Sequence, residues 1–141
     1  MLEQNIRWKQ RFQNYKNMFV ILKTNIEDSF IDDLTELEQI GISKSFELCF
    51  ELLWKMLKDY LEYETVEIGM ISPKNIIKVS ASSGLLEEIG VEGDILLKFL
   101  KIRNELVHVY DYEKFKQVLF DIKDIAVPEM NKIYNYFEGM I

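Results

Sequence analysis

Between Leu2 and Lys23 the apolar and aromatic residues Ile6, Trp8, Phe12, Tyr15, Phe19 and Leu22 recur at spacings of mostly three and four. That period gathers them on one face of a helix, and the segment holds no glycine or proline to interrupt it. Asn25 or Asp28 offers a cap for a second helix to about Ile40, with Gly41 as the break after it. A third helix, from Ser43 to about Glu64, carries the broadest apolar stripe: Phe46, Cys49, Phe50, Leu53, Trp54, Leu57 and Leu61, with Lys44, Lys55, Lys58 and Asp59 pointing elsewhere. Ser72-Pro73 reads as a cap followed by proline at the first helical position, opening a short helix to about Ala81 that Gly84 ends. After a turn at Gly90 to Gly93, Asp94 can cap a helix through about Val109 and Asp111 the last one, which Pro128 should kink or split before Phe137. The pattern predicts an all-α, antiparallel bundle of four to five main helices plus a short one, built as a single domain over residues 1–141.

Composition supports this reading and narrows the function. Six glycines and two prolines among 141 residues leave few turns, and 48% hydrophobic against 29% charged residues suits a globular chain with a real core. No apolar run approaches the length of a bilayer span, so a membrane-spanning role is excluded. The N-terminus lacks a cationic start followed by an apolar stretch, and the single Cys49 can form no internal disulfide, so the expected location is cytoplasmic. A net charge of −7 makes the whole chain a poor polyanion binder. Any phosphate site must therefore be local. Arg7, Lys9, Arg11, Lys16 and Lys23 run against the acidic trend, as a basic face of the first helix.

The unusual chemistry lies between Asp94 and Val109. With Arg103 set at zero on a helical wheel, Leu96 falls at about 20°, Phe99 at about −40°, Leu106 at about −60° and Val107 at about 40°. This puts Arg103 in the middle of the apolar face, where its permanent charge needs a partner. Asn104 and His108, four apart, meet on the flank of that stripe, and Tyr110 completes a polar group with them. One possibility is a structural salt bridge from Arg103 to Glu47 or Glu51, with His108 as a packing residue. The other is a phosphate held in the Arg103 fork, with His108, the only histidine, moving a proton near neutral pH. Glu105 to His108 matches half of a di-iron motif, but one histidine does not make such a site. Gly-rich phosphate loops, paired cysteines and serine nucleophile motifs are absent, so neither metal nor cofactor is expected. The aromatic set Trp8, Phe12, Phe46, Phe50 and Trp54 sits at helical spacing and reads as core.

These residues carry a resemblance along nearly the whole chain. Trp8-Lys9-Gln10-Arg11-Phe12 with Asn14-Tyr15, Phe46-Glu47, Phe50 to Lys55, Leu57 to Leu61, Ser72-Pro73-Lys74, Gly84-Leu85, and Arg103-Asn104 with His108-Val109-Tyr110-Asp111 occur in order. The chain resembles the nucleotidyltransferase substrate-binding protein family, a branch of the HEPN superfamily whose genes commonly adjoin a minimal nucleotidyltransferase. The last fragment corresponds to the superfamily's Arg-x4-His motif, here as Arg-x4-His-x-Tyr.

The resemblance implies a homodimer whose motif helices form a shared cleft, which in related toxin branches cleaves RNA without metal. Carried over, Arg103 would neutralise the scissile phosphate, His108 would act as general acid or base, and Asn104 would orient them. Tyr110 would be the site at which the partner nucleotidyltransferase adds AMP (AMPylation), silencing the toxin in a toxin-antitoxin pair. Lys101 and Arg11 could add positive charge to the cleft. The older reading of the family is a non-catalytic subunit binding a nucleotide or other substrate for the nucleotidyltransferase. A third possibility is a dimer in which the motif is only an interface network.

Overall fold

The structure is a computed structural model whose described residues are 2–108, with His108 as backbone alone, and 111–141. Helix α1, Leu2–Ile26, and helix α2, Glu36–Tyr63, form a long antiparallel pair. Trp8, Phe12, Tyr15, Phe19 and Leu22 are all buried, as their spacing predicts, and Ile26 extends the stripe by one turn, whereas Ile6, only two residues before Trp8 and so about 160° around the helix from it, turns outward and is 47% exposed. Trp8 meets Tyr60 edge-on at 5.2 Å and Phe137 at 5.7 Å, an arrangement that suits aromatic quadrupoles. The Tyr15 hydroxyl donates to the Met130 carbonyl at 2.9 Å, satisfying a buried phenol. Phe46, Phe50 and Trp54 are buried as well, so the aromatic set is core.

Three expectations about the first half are corrected. No separate helix runs from Asn25 or Asp28 to Ile40: a single 3-10 turn, Ile31–Asp33, precedes α2. Asn25 instead turns its amide back to the Ile21 carbonyl at 2.7 Å. The stronger start signal is Thr35, whose hydroxyl accepts from the Glu38 amide while the Glu38 carboxylate accepts from the Thr35 amide, a reciprocal capping box. Gly41 does not break the chain but lies inside α2. A mid-helix glycine costs about 1 kcal/mol, less than what burying Ile42 and Phe46 on the same continuous helix returns. Asp59 points into the protein rather than away. Its side chain is fully buried, accepting from Arg11 Nε at 3.1 Å, with Lys58 Nζ 3.2 Å from the other oxygen but off a hydrogen-bonding line.

Lysines from the far side of the bundle hold the α1–α2 connection. Lys123 donates to the Ser29 carbonyl and lies over the Phe30 ring, and Lys116 pairs with Asp32. Helix α3, Pro73–Ser82, starts where the sequence places it: the Ser72 hydroxyl accepts from the Asn75 amide at 3.2 Å. A five-residue helix α4, Leu85–Ile89, was not foreseen, because Gly84 and Gly90 both read as breaks. Their φ values of 90° and 92° are the left-handed ends that such a short helix needs.

Helix α5, Gly93–Glu105, begins one residue before Asp94, which therefore sits in the first turn instead of capping it. Gly93 lets α5 pass close to α3, since a Cβ there would meet that of Ala81 at 3.4 Å. The α-helical part ends at Glu105, four residues short of the expected Val109, and tightens into a 3-10 turn, Leu106–His108. Asp111 caps helix α6, Tyr112–Asp121, accepting from the Lys114 amide at 3.3 Å. Pro128 splits the last segment as expected: a π-helical turn, Ile122–Ala126, separates α6 from helix α7, Val127–Glu138, where proline's missing N–H falls in the first turn. Among the described residues there is no strand, and no helix is long and apolar enough to cross a membrane.

Candidate functional site

Arg103 stands in the last turn of α5, where its positive charge complements the negative end of the helix dipole. It is not in the middle of the buried face. Leu96, Phe99, Ile102 and Leu106 are the buried residues of this segment, which centres the core sector to one side of Arg103 and leaves its side chain 35% exposed. Val107, placed on the apolar stripe by a regular helical wheel, is 68% exposed because the 3-10 turn rotates it outward.

Of the two acids weighed as partners, Glu51 faces Arg103 and Glu47 pairs with Lys44 at 3.9 Å. The Arg103 Nη1 to Glu51 Oε1 distance is 3.5 Å, well beyond the roughly 2.7–2.9 Å of a tight charge-assisted hydrogen bond. The other Glu51 oxygen accepts from the Trp54 indole N–H at 3.2 Å and lies 3.8 Å from Lys55 Nζ. One carboxylate is thus shared by two cations, leaving the cluster locally positive within an acidic protein. Phe50 carries the guanidinium over its ring at 5.9 Å, and Trp54 carries Lys55 at 5.8 Å. The aromatic faces fix the height of both cations above α2 without consuming their N–H donors.

Asn104 is exposed beside Arg103. The His108 backbone closes the 3-10 turn, while its side chain and Tyr110 lie outside the described residues. Lys101 is exposed but lies about 160° around the α5 axis from Arg103. Arg11 is taken up by Asp59, two turns along α2 from Glu51, so within one chain neither Lys101 nor Arg11 joins the Arg103 cluster. Trp54 and Lys55 are the members that reading the sequence overlooked. Their signal was spacing: three and four residues after Glu51 on one helix, where side chains meet. Among the described residues no group of acids, cysteine and histidine has the arrangement of a metal site.

Chemically, the cluster is an arginine fork on an aromatic seat, loosely engaged by a carboxylate that an incoming anion can replace. No curated protein matches this sequence. The family model described as nucleotidyltransferase substrate binding protein like matches residues 10–138, a span that contains α2, α5 and the whole Arg103–Glu51 cluster, and the chain belongs to that family.

Proposed function

We propose that this chain is the anion-recognising subunit that works beside a nucleotidyltransferase, with Arg103 taking the phosphate of a nucleotide or RNA. The observation that carries this reading is the single loose contact of a half-exposed arginine: at 3.5 Å from Glu51 its planar fork is oriented but not engaged bidentately. A phosphate entering from solvent gains the fork and the nearby Lys55 charge, and displaces one carboxylate oxygen. The protein acts as a homodimer in the cytoplasm, where the buried free thiol of Cys49 stays reduced.

A second reading is favoured by the placement of Arg103, Asn104 and the His108 backbone at one open end of α5. There the same arginine neutralises a scissile phosphate, His108 moves the proton of the ribose 2′-hydroxyl or leaving oxygen, and Asn104 orients them, giving a metal-independent ribonuclease. AMP addition to Tyr110 would add bulk and negative charge to the Arg-x4-His-x-Tyr motif and silence it.

RNA binding and cleavage by the purified protein, in excess EDTA and beside Arg103→Ala and His108→Ala, separate the two. Binding that needs Arg103, with no cleavage, is the expected result. Cleavage that resists EDTA and vanishes in both variants replaces it with the ribonuclease reading. Binding and inactivity unchanged by Arg103→Ala would remove both and leave the motif a structural contact.

A further inference from the structure

We propose that the outward ridge of α2 carries a second phosphate station, built by Arg7 and Lys58, and that this station and Arg103 hold one phosphodiester strand between them. The inference rests on the phosphate reading of Arg103 and deepens it: the ligand is a nucleic-acid strand of several nucleotides rather than a mononucleotide.

The arrangement around Arg103 recurs once along α2. Glu51 turns one oxygen to Arg103 of α5 at 3.5 Å and the other to Lys55, four residues on, at 3.8 Å. Glu62 turns one oxygen to Arg7 of α1 at 3.7 Å and the other to Lys58, four residues back, at 3.5 Å. In both, a carboxylate of α2 is divided between an arginine reaching over from a different helix and a lysine one turn away. None of these distances is that of a tight charge-assisted hydrogen bond, so both arginine forks remain open to an anion. On a helical wheel Glu51, Lys55, Lys58 and Glu62 fall within about 60° of one another, which sets the two stations on one ridge about 16 Å apart. None of the four is buried.

The ridge is pinned from below beside the second station. Asp59 is fully buried, accepts from Arg11 Nε at 3.1 Å and draws Lys58 Nζ to 3.2 Å. Lys58 is thereby only 19% exposed, a lysine held in place rather than one swinging in water. Five cations, Arg7, Arg11, Lys55, Lys58 and Arg103, thus stand over three carboxylates in a chain whose net charge is −7. The Glu51 and Glu62 contacts, long and partly exposed, add little to stability, so folding does not account for the repetition. A ligand with repeated negative charge does.

The two stations are unequal. Phe50 lies under the Arg103 guanidinium, whereas among the described residues no aromatic ring lies under Arg7, which is 48% exposed. A lone phosphate therefore settles at Arg103. A strand anchored there carries its further phosphates to Arg7 and Lys58 at high effective concentration, and the second contact forms without a fresh association step. At about 3.4 Å per stacked nucleotide, the separation of the stations corresponds to roughly five nucleotides, beyond the reach of a mononucleotide. Contacts of this kind position the strand and do not read its bases.

Calorimetric titration of AMP, a thymidine dinucleotide and a six-thymidine DNA strand into the full-length chain tests this; DNA lacks the 2′-hydroxyl that cleavage would use. The hexamer is expected to bind at least tenfold more tightly than AMP or the dinucleotide at low salt. Arg7→Ala should remove most of that gain without changing AMP affinity, and should flatten the plot of log affinity for the hexamer against log salt by about 0.7 for the one lost contact. Glu62→Gln, which frees both cations of the second station, should tighten hexamer binding alone. Melting temperatures verify that both variants fold. A hexamer no tighter than AMP, or hexamer binding that neither variant changes while Arg103→Ala abolishes it, would overturn the second station and leave Arg103 a site for one phosphate. Undiminished binding of AMP and hexamer by Arg103→Ala would overturn the phosphate reading and the strand together.

Discussion

Glu51→Gln removes the negative charge that occupies Arg103 while leaving an amide oxygen able to accept from the Trp54 indole. Both members of the pair are about one-third exposed, 35% and 36%, and their closest approach is a single 3.5 Å contact. Ion pairs of this exposure are worth about 0.2–1 kcal/mol, and this one shares its carboxylate with Lys55, so the competition relieved is about 0.4–1 kcal/mol. With tenfold in affinity per roughly 1.4 kcal/mol, Glu51→Gln should bind AMP or inorganic phosphate about two- to fivefold more tightly. The gain should shrink as salt rises, because these charges are partly in water. Isothermal titration at low and high salt, beside a thermal melt, reads both effects. Folding stability should fall by no more than about 1 kcal/mol. A well-folded Glu51→Gln that binds phosphate no better, or worse, than wild type would refute the idea that Glu51 competes with the ligand for Arg103.

Thr35→Ala removes half of the capping box at the start of α2 and should cost about 1 kcal/mol, seen as a melting temperature lower by about 3–5 °C. Burial pushes the Cys49 thiol up to about 12, so native protein at pH 8 should resist thiol reagents and react fully only in denaturant; rapid native labelling would contradict the packing of α2. Tyr15 and Tyr60 are both raised, chiefly by burial, with Cys49 adding to the first and Glu64 to the second. The fold holds these phenols protonated, so stability should be complete below about pH 10 and fall as pH climbs above it toward the raised folded values. Denaturant midpoints between pH 8 and 11.5 measure that slope, and Tyr15→Phe should flatten it.

The parts of the fold legible in the sequence were those fixed by local chemistry. Trp8 to Leu22 announced one buried face, Ser72-Pro73 and Asp111 announced helix starts, and Pro128 announced a split. Signals that compete with tertiary packing misled. Gly41 resembles a helix end, yet Ile42 and Phe46 are buried on a continuous α2, and no local rule weighs that burial against a backbone preference. Asp59 looked like a surface charge because its cation, Arg11, comes from another helix 48 residues away. At the candidate site, the sequence named Arg103 and included Glu51 among its partners, but a helical wheel assumes regular geometry. The tightening after Glu105 and the off-centre core sector of α5 moved Arg103 from the interior to a half-exposed flank. The Trp54 and Lys55 contributions were encoded in spacing from Glu51, and became visible as a cluster only once α5 was laid against α2.

The central claim is that Arg103 is the anion-recognising group. Calorimetric titration of AMP and of a short RNA at low salt into wild type and Arg103→Ala, with melts to verify folding, tests it most directly. The account predicts saturable binding that weakens at least tenfold in Arg103→Ala, with a melting temperature within a few degrees of wild type. Equal affinity in the two proteins would contradict it and return the Arg103–Glu51 pair to a structural role.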